Sequence, residues 1–333
     1  MNTVALEVND AGLQLLSDAR PRRHAESPGI ALFEDGALLT GALAAARAQI
    51  RPRAVCDVYW DRLDTEPLRK PYPSRITHAD LAFAHLRALE IAPAEAVLAV
   101  PGFWTAEALG LLLSVARAAA LDVRGVVDAA VAGACYAPRV DRVLHLDLTR
   151  HRAVLTTLDT RVGAVRLAVA DVAGLGTAAF EAAHADHLTR RFIAETRYDP
   201  RHSGAADQAL HDAMRRWLLE LRHLPSLPAT LAAGGREHVI PIALDDFARA
   251  GQSLHARLAG EVRGRVGEPR PLLVLTARAS QQPGLSASLR EHTGLDVFEL
   301  PHDAAVVAAL RHHPRIRREG DALPFLTRLP AFE

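Results

Sequence analysis

The sequence predicts an α/β protein of two lobes, in which mixed β-sheets are flanked by helices. Short strand-like runs open each half of the 333-residue chain, at 4–33 and again at 143–171. Each half then continues with apolar strands that alternate with helical segments, and a strand–helix–strand order requires a parallel pair with a right-handed crossover. We therefore expect a first lobe at about 1–140, a second lobe at about 141–311 and a ligand cleft between them.

Apolar runs and three helix N-caps predict the first half of the chain. In order, the elements are strands at 4–8, 13–16 and 29–33, a helix at 41–50, an exposed Pro-rich connection at 66–75, a helix after Thr77, a strand at 97–100, a helix at 105–119, a strand at 123–127 and a helix at 128–136. Thr77, Thr105 and Asp128 precede three of these helices, and their side-chain oxygens can accept hydrogen bonds from the free N–H groups of a first helical turn.

The second half repeats this arrangement and contains an insertion. Its elements are strands at 143–148, 153–158 and 165–171, helices between 180 and 224 with an exposed break at 199–204, a strand at 239–243, a helix from Leu244, a strand at 272–276, a helix at 283–291, a strand at 296–300 and a helix at 304–310. The stretch at about 182–238 is predicted to be a helical insertion. Residues 312–333 are basic and then Pro-rich without a period, so we expect a solvated C-terminal tail.

Composition argues against several classes of protein. Lys and Arg number 39, as do Asp and Glu, so no net charge favours binding to nucleic acid or to an anionic membrane. The two cysteines, Cys56 and Cys135, predict neither a disulfide framework nor a structural zinc site. The N-terminus has no secretory pattern, and no apolar run reaches the roughly 18 residues of a spanning helix. We expect a cytoplasmic protein that binds another protein.

Residues 97–136 (VLAVPGFWTAEALGLLLSVARAAALDVRGVVDAAVAGACY) carry a recognisable pattern. They resemble the nucleotide-binding domain of DnaK-type (heat shock protein 70) chaperones, in which a strand ending in Val-Pro precedes an aromatic pair and a long helix. The order of the remaining elements agrees over about 1–310. The resemblance implies the two-lobed, duplicated ribonuclease H-like fold of the actin-like ATPase superfamily. No part of the chain is similar to the substrate-binding domain of that family.

The phosphate-binding turns depart from the family pattern. Two glycine-rich hairpin turns of the family clamp phosphates through backbone N–H groups, and acidic residues on these turns hold Mg²⁺ through water. The first turn reads EVNDA (7–11) where the family has Asp-Leu-Gly-Thr-Thr, and the second reads DLTRHR (147–152) where it has Asp-Leu-Gly-Gly-Gly-Thr. The adenosine loop is reduced to ARASQQP (277–283), and no lysine stands near Trp60-Asp61-Arg62.

The residues that the resemblance assigns to a remnant nucleotide cleft are Glu7, Asn9, Asp147, Thr149 and Gly176. Glu7 and Asp147 are either a residual Mg²⁺ pair or ordinary acids at strand ends. Loss of about three phosphate contacts, each worth roughly 1.5–3 kcal/mol, removes on the order of 5 kcal/mol of binding energy. We therefore expect no catalytic or metal site and no bound cofactor, with ATP and Mg²⁺ as the alternative.

The basic turn at 149–152 also has two interpretations. Its arginines and histidine could bind an anion, but a solvated basic hairpin is the ordinary state of such a turn. The leading functional hypothesis is a DnaK-like pseudo-ATPase that lacks a substrate-binding domain and serves as a protein-binding or chaperone-related scaffold. An active ATPase or kinase of the same superfamily with remodelled loops is the first alternative. An actin-like filament or assembly scaffold is the second.

Overall fold

The computed structural model describes residues 2–19, 23–91, 94–318 and 323–330. Within them the strands are β1 (Thr3–Asn9), β2 (Gly12–Ser17), β3 (His24–Pro28), β4 (Ala31–Glu34), β5 (Ala37–Thr40), β6 (Val55–Cys56), β7 (Glu95–Val100), β8 (Asp122–Asp128), β9 (Arg142–Leu148), β10 (Arg152–Asp159), β11 (Ala164–Ala173), β12 (Leu227–Ala233), β13 (Arg236–Ile242), β14 (Leu272–Leu275), β15 (Val297–Glu299), β16 (Phe325–Leu326) and β17 (Arg328–Leu329). The helices are α1 (Gly41–Ala45), α2 (His78–Ala88), α3 (Ala106–Ala118), α4 (Ala129–Ala134), α5 (Thr177–Thr196), α6 (Gly204–Glu220), α7 (Leu244–Ala250), α8 (Gln252–Arg263), α9 (Ala277–Ser280), α10 (Leu285–Thr293), α11 (Ala304–Arg311) and α12 (His313–Ile316). The predicted α/β class, with mixed sheets flanked by helices, is confirmed.

Two six-stranded sheets share the order of five strands, and each has one further strand at a different edge. The first sheet runs β16-β8-β7-β1-β2-β3 and the second runs β15-β14-β9-β10-β11-β17. In each sheet a three-stranded antiparallel meander is joined by two strands that lie parallel to its first strand. The parallel pair β7 and β8, which the sequence predicted, is confirmed. Most of β7 is fully buried because helices cover both faces of a parallel segment.

Helix starts follow the predicted N-caps. The side chain of Thr77 accepts a hydrogen bond from the N–H of Asp80, and the Asp80 carboxylate accepts one from the N–H of Thr77, forming a capping box. The side chains of Thr105 and Asp128 accept from N–H groups in the first turns of α3 and α4. These caps are local, so the sequence was sufficient to place them.

Two short helices separate the sheets. Apolar side chains of α4 and α11, among them Val131 and Val306, pack with Val97 of the first sheet and Val143 of the second in one buried cluster. Two further apolar clusters cover the outer faces of the two sheets. The carboxyl ends of β1 and β9 therefore lie on either side of one central layer. None of the helices in the described part of the chain combines the length and apolar character needed to cross a bilayer.

The structure differs from the sequence prediction in several segments. The outer strand β3 was not predicted. The insertion at about 182–238 contains helices α5 and α6, but its last part, from Leu227, is the hairpin of β12 and β13. That hairpin packs its alternate apolar residues on α5 and α6, which a helical period does not reveal.

The C-terminal segment 312–333 was predicted to be a solvated tail, and its described part is instead packed. Ile316 is fully buried, and His313 Nε2 lies 3.4 Å from a carboxylate oxygen of Glu95. Strand β16 then pairs with β8 of the first sheet, and β17 pairs with β11 of the second sheet. These strands are two residues long, too short for a periodic signal. Residues 319–322 and 331–333 of the predicted tail lie outside the described residues.

Candidate functional site

Two hairpin turns meet where the sheets approach each other. One joins β1 to β2 and the other joins β9 to β10. Asn9 holds the first turn, because its Oδ1 accepts from the N–H of Ala11 at 2.9 Å and its Nδ2 donates to Glu7 Oε1 at 2.9 Å. Glu7 is thereby directed into the gap between the sheets, where it is 4% exposed.

A guanidinium lies between the two predicted cleft acids. Arg278 Nη2 donates to Glu7 Oε1 at 2.5 Å and to Asp147 Oδ2 at 2.8 Å, and its Nε donates to Asp147 Oδ1 at 3.1 Å. Thr276 Oγ1 donates to Asp147 Oδ1 at 2.7 Å. Burial alone would raise the pKa of Asp147, but the charge and hydrogen bonds of Arg278 outweigh it and hold that pKa below its ordinary value. Glu7 and Asp147 are thus brought together around a cation from the protein itself.

A second carboxylate occupies the backbone donors of the other turn. Asp10 Oδ1 accepts from the N–H of Arg150 at 3.0 Å, and Oδ2 accepts from the N–H of His151 at 2.9 Å. Successive N–H groups of this kind form an anion-binding concavity. Burial raises the pKa of Asp10, while the hydrogen bonds from Thr149, His151 and Arg150 limit that rise. The N–H groups of this concavity therefore already have a hydrogen-bond acceptor from the protein itself.

The side chains of the basic turn are paired rather than solvated. Arg150 Nε donates to Asp57 Oδ2 at 2.7 Å, and Arg152 donates to both carboxylate oxygens of Asp61, from Nε at 2.5 Å and from Nη2 at 3.0 Å. The expected solvated hairpin is therefore wrong, since only 18% of the Arg150 side chain and 27% of the Arg152 side chain are exposed. Both acids precede β7 in the chain, so these pairs join the two halves of the molecule.

The pKa values of Asp57 and His151 reflect the same pairing. Burial opposes its ionisation, but the hydrogen bond to His151 and the charge of Arg150 dominate and hold the pKa of Asp57 well below its usual range. In return, the hydrogen bond with Asp57 raises the pKa of His151. The positive charges of the turn therefore lie against Asp57 and Asp61 from the first half of the chain.

Gly176 lies behind the basic turn. A Cβ at this position would stand 2.3 Å from the carbonyl oxygen of Arg150 and 2.5 Å from that of Thr149, so only glycine permits this close approach. The N–H of Thr177 donates to the carbonyl of Thr149 at 2.9 Å, and the N–H of Ala178 donates to the carbonyl of Arg150 at 3.0 Å. The first turn of α5 is thus used to hold the turn at 149–152.

Arg278 separates two regions of free space, an inner cavity and an outer cleft. On its inner side is a cavity of about 40 Å³, sufficient for roughly two or three water molecules. Among the described residues, buried His145 Nδ1 and Thr156 Oγ1, from two side chains that line this cavity, have no protein partner. On its outer side an open cleft of about 400 Å³ continues into a groove of about 720 Å³ beside α6.

The five predicted site residues fall into two groups. Glu7, Asn9 and Asp147 surround Arg278, whereas Thr149 adjoins Asp10, and Gly176 supports the turn from behind. Sequence reasoning missed the roles of Arg278, Asp10, Asp57 and Asp61. One signal for Arg278 was available, because two buried acids facing each other require a buried cation.

The geometry leaves little room for a phosphate at these turns. Asp10 accepts from two N–H groups that an anion would need, and Arg278 stands between the acids where a divalent cation would need to bind. In the described part of the chain, no three His, Cys, Asp or Glu side chains converge so that they could hold a metal ion. At these two turns, the groups that ATP and Mg²⁺ would use are therefore paired within the chain.

Two comparisons with known proteins found no match for this chain. No protein-family model matches the chain. No curated protein matches it either.

Proposed function

We propose that this chain is a DnaK-like member of the actin-like ATPase superfamily whose cleft is filled by its own side chains. In this proposal it is a pseudo-ATPase, and it serves as a scaffold that binds another protein. The observation that carries the proposal is that side chains of the protein occupy both ligand positions. Arg278 lies between Glu7 and Asp147 in place of a divalent cation, and Asp10 accepts from the N–H groups of the turn at 149–152 in place of a phosphate.

The repeated strand order supports the superfamily assignment. Both sheets consist of an antiparallel meander followed by two parallel strands, which agrees with a duplicated ribonuclease H-like fold. The facing turns at the ends of β1 and β9 also agree with the two phosphate hairpins of that superfamily. Fold alone does not determine function, so the functional part of the proposal depends on the side chains at these turns.

Energetics favour the filled state over a bound nucleotide. A ligand would have to displace Arg278, leaving two buried carboxylates without their cation, and Asp10, losing two hydrogen bonds to a charged acceptor. Each such hydrogen bond is worth roughly 1.5–3 kcal/mol. Displacing Asp10 alone then costs on the order of 4 kcal/mol, or about a thousand-fold in affinity.

The contacts between the two halves of the chain favour a rigid scaffold over an ATPase whose two halves move apart. Arg150 and Arg152 bind Asp57 and Asp61 across the gap, and the C-terminal strands β16 and β17 pair with both sheets. An ATPase cycle of this superfamily needs lobes that move. A body joined at this many points instead presents one fixed surface to a partner.

Isothermal titration with ATP and Mg²⁺ tests the proposal. We expect no heat of binding at low micromolar ATP for the natural chain. The double variant Asp10→Gly, Arg278→Ala is expected to gain measurable affinity, provided that circular dichroism shows it to be folded. Low-micromolar binding by the natural chain would contradict the proposal.

The two alternatives predict different results. The open cleft of about 400 Å³ leaves space for a ligand that avoids the filled turns, and this favours an enzyme with remodelled loops as the second candidate. Steady phosphate release that Glu7→Ala or Asp147→Ala abolishes would establish it. A filament would show nucleotide-dependent light scattering, which we do not expect.

A further inference from the structure

The outer strand of the second sheet, β11, is unusually apolar for its exposure. Its sequence is AVRLAVADVA (164–173), and from Leu167 to Ala173 every residue is exposed or half-buried. The side chain of Leu167 is 50% exposed, and Val162 just before the strand is 92% exposed. Long exposed edge strands of this composition are rare in monomers, because they offer a template for another strand.

One edge of β11 is open along most of its length. On its inner side β11 pairs with β10 from Val165 to Ala173. On its outer side β17 pairs only with Ala164 and Val165, and the N–H of Arg166 donates to the carbonyl of Thr327 at 2.9 Å. Within the described residues, no strand pairs with the outer edge from 167 to 173. The contact with β17 also shows that this edge accepts an antiparallel strand.

The equivalent strand of the first sheet is protected. Strand β3 ends the other meander in the same topological position, and its sequence is HAESP (24–28). It carries a histidine, a glutamate and a proline, which are devices that discourage pairing at an edge. In the five-strand order that the two sheets share, β11 has no proline and only one charged residue between 167 and 173, and its register against β10 shifts at Leu167.

We propose that the open edge of β11 pairs with the same edge of a second copy of this chain. The two strands run antiparallel about a two-fold axis at Ala170, so that Leu167 faces Ala173 of the other copy and Val169 faces Asp171. This is an isologous contact, in which one surface serves both subunits. The proposal does not depend on the state of the cleft.

Charge and register favour a second copy over another occupant. Asp171 is the one charged residue between 167 and 173, and it pairs with Arg152 of its own chain. In the register centred on Ala170, no like charges face each other across the contact. The paired segment also ends where β17 begins to cover the edge, at Arg166, and where Gly174 turns the chain away with a φ of 73°. The edge is thus complementary to itself.

Sedimentation velocity between about 1 and 200 µM measures the outcome. The natural chain is expected to change from the mass of one 35.9-kDa chain to twice that mass. Ala170→Lys sets two like charges opposite each other at the axis and is expected to remain monomeric at every concentration. An equimolar mixture of Ala170→Lys and Ala170→Glu is expected to recover the doubled mass, because opposite charges then face each other. Ala25→Lys on the protected strand β3 serves as the matched control and should leave the dimer intact.

Hydrogen exchange of the natural chain gives a second measurement that requires no variant. Protection of backbone amides within 167–173 should rise with protein concentration, while amides of β3 should not change. A single-chain mass at 200 µM, or a dimer that Ala170→Lys leaves unaffected, overturns the proposal. Exchange protection in 167–173 that appears only when a different protein is added would also overturn it, since the occupant would then not be a second copy.

Discussion

At the residue scale, burial decides what the cleft side chains can do. A carboxylate that leaves water needs a partner of opposite charge or several hydrogen-bond donors. Glu7 and Asp147 obtain both from Arg278, and Asp10 obtains two backbone donors. The sequence predicted that these acids face a common cleft, but it did not predict their partners. Arg278 is 131 residues from Asp147 and 271 from Glu7 in sequence, so no local pattern links them.

The first prediction concerns Arg278. Arg278→Ala leaves two buried carboxylates without a cation, and removal of one partner from a buried ion pair typically costs about 3–5 kcal/mol of unfolding free energy. Urea titration measures the change. Arg290→Ala is the matched control, because Arg290 is half exposed and its nitrogen lies 3.8 Å from Glu299, so we expect a change below about 0.5 kcal/mol. Equal losses in the two variants would contradict a buried role for Arg278.

At the element scale, the strands and helices with strong periods follow the sequence, and the shortest elements do not. The capped helices α2 and α3 and the meander of β9, β10 and β11 begin within a few residues of their predicted positions. Strands β16 and β17 contain two residues each, so they exist only because two larger sheets offer them an edge. Because of this pairing, the segment that was predicted to be a tail connects the two sheets. We call β16 and β17 together the strap.

The second prediction tests this strap. Leu329 on β17 is 4% exposed, whereas the adjacent Arg328 is exposed. Leu329→Asp buries an unpaired charge and is expected to lower the unfolding free energy by about 3 kcal/mol or more, while Arg328→Asp changes it by less than about 0.5 kcal/mol. Differential scanning fluorimetry provides the first reading and urea titration the free energy. A tolerated Leu329→Asp would mean that the strap contributes nothing to stability.

At the scale of the whole molecule, several histidines are enclosed in the cores in their neutral form. Burial lowers the pKa of His85 to about 3 and those of His145 and His184 to about 4, against an ordinary value of 6.5. Composition indicated 16 scattered histidines but not which of them are buried. Tertiary packing buries these three: His85 lies against Tyr59 and Trp60, His145 lies beside Gly133 of α4, and His184 lies against Phe180 and Phe247.

The third prediction follows from the sign of those shifts. Below about pH 6.5 the unfolded chain takes up protons that the folded chain refuses, so stability is complete above that pH and declines as the pH falls toward 4. Between pH 7.5 and 5.5 each of the three histidines accounts for about 1 kcal/mol of lost unfolding free energy. His151, whose pKa is raised, opposes part of the loss.

Urea titrations at the two pH values measure this dependence. His184→Gln is expected to reduce the difference between them by about 1 kcal/mol, whatever its effect at either pH alone. His223→Gln, at an exposed position, is the control and should leave the difference unchanged. A stability that stays constant from pH 7.5 to 5.5 would contradict neutral buried histidines.

The sequence by itself determined the α/β class, the caps at Thr77, Thr105 and Asp128, the parallel pair of β7 and β8, and the absence of glycine from residues 7–11 and 147–152. These features depend on local propensity and on the period of apolar residues, which a chain carries within a few neighbouring positions. Only the tertiary structure decided which charges meet across the cleft, that the tail joins both sheets, and that one outer strand is open while its counterpart is protected. Those outcomes depend on contacts between segments up to some 270 residues apart, whose geometry is set by the packing of the sheets and the layer between them.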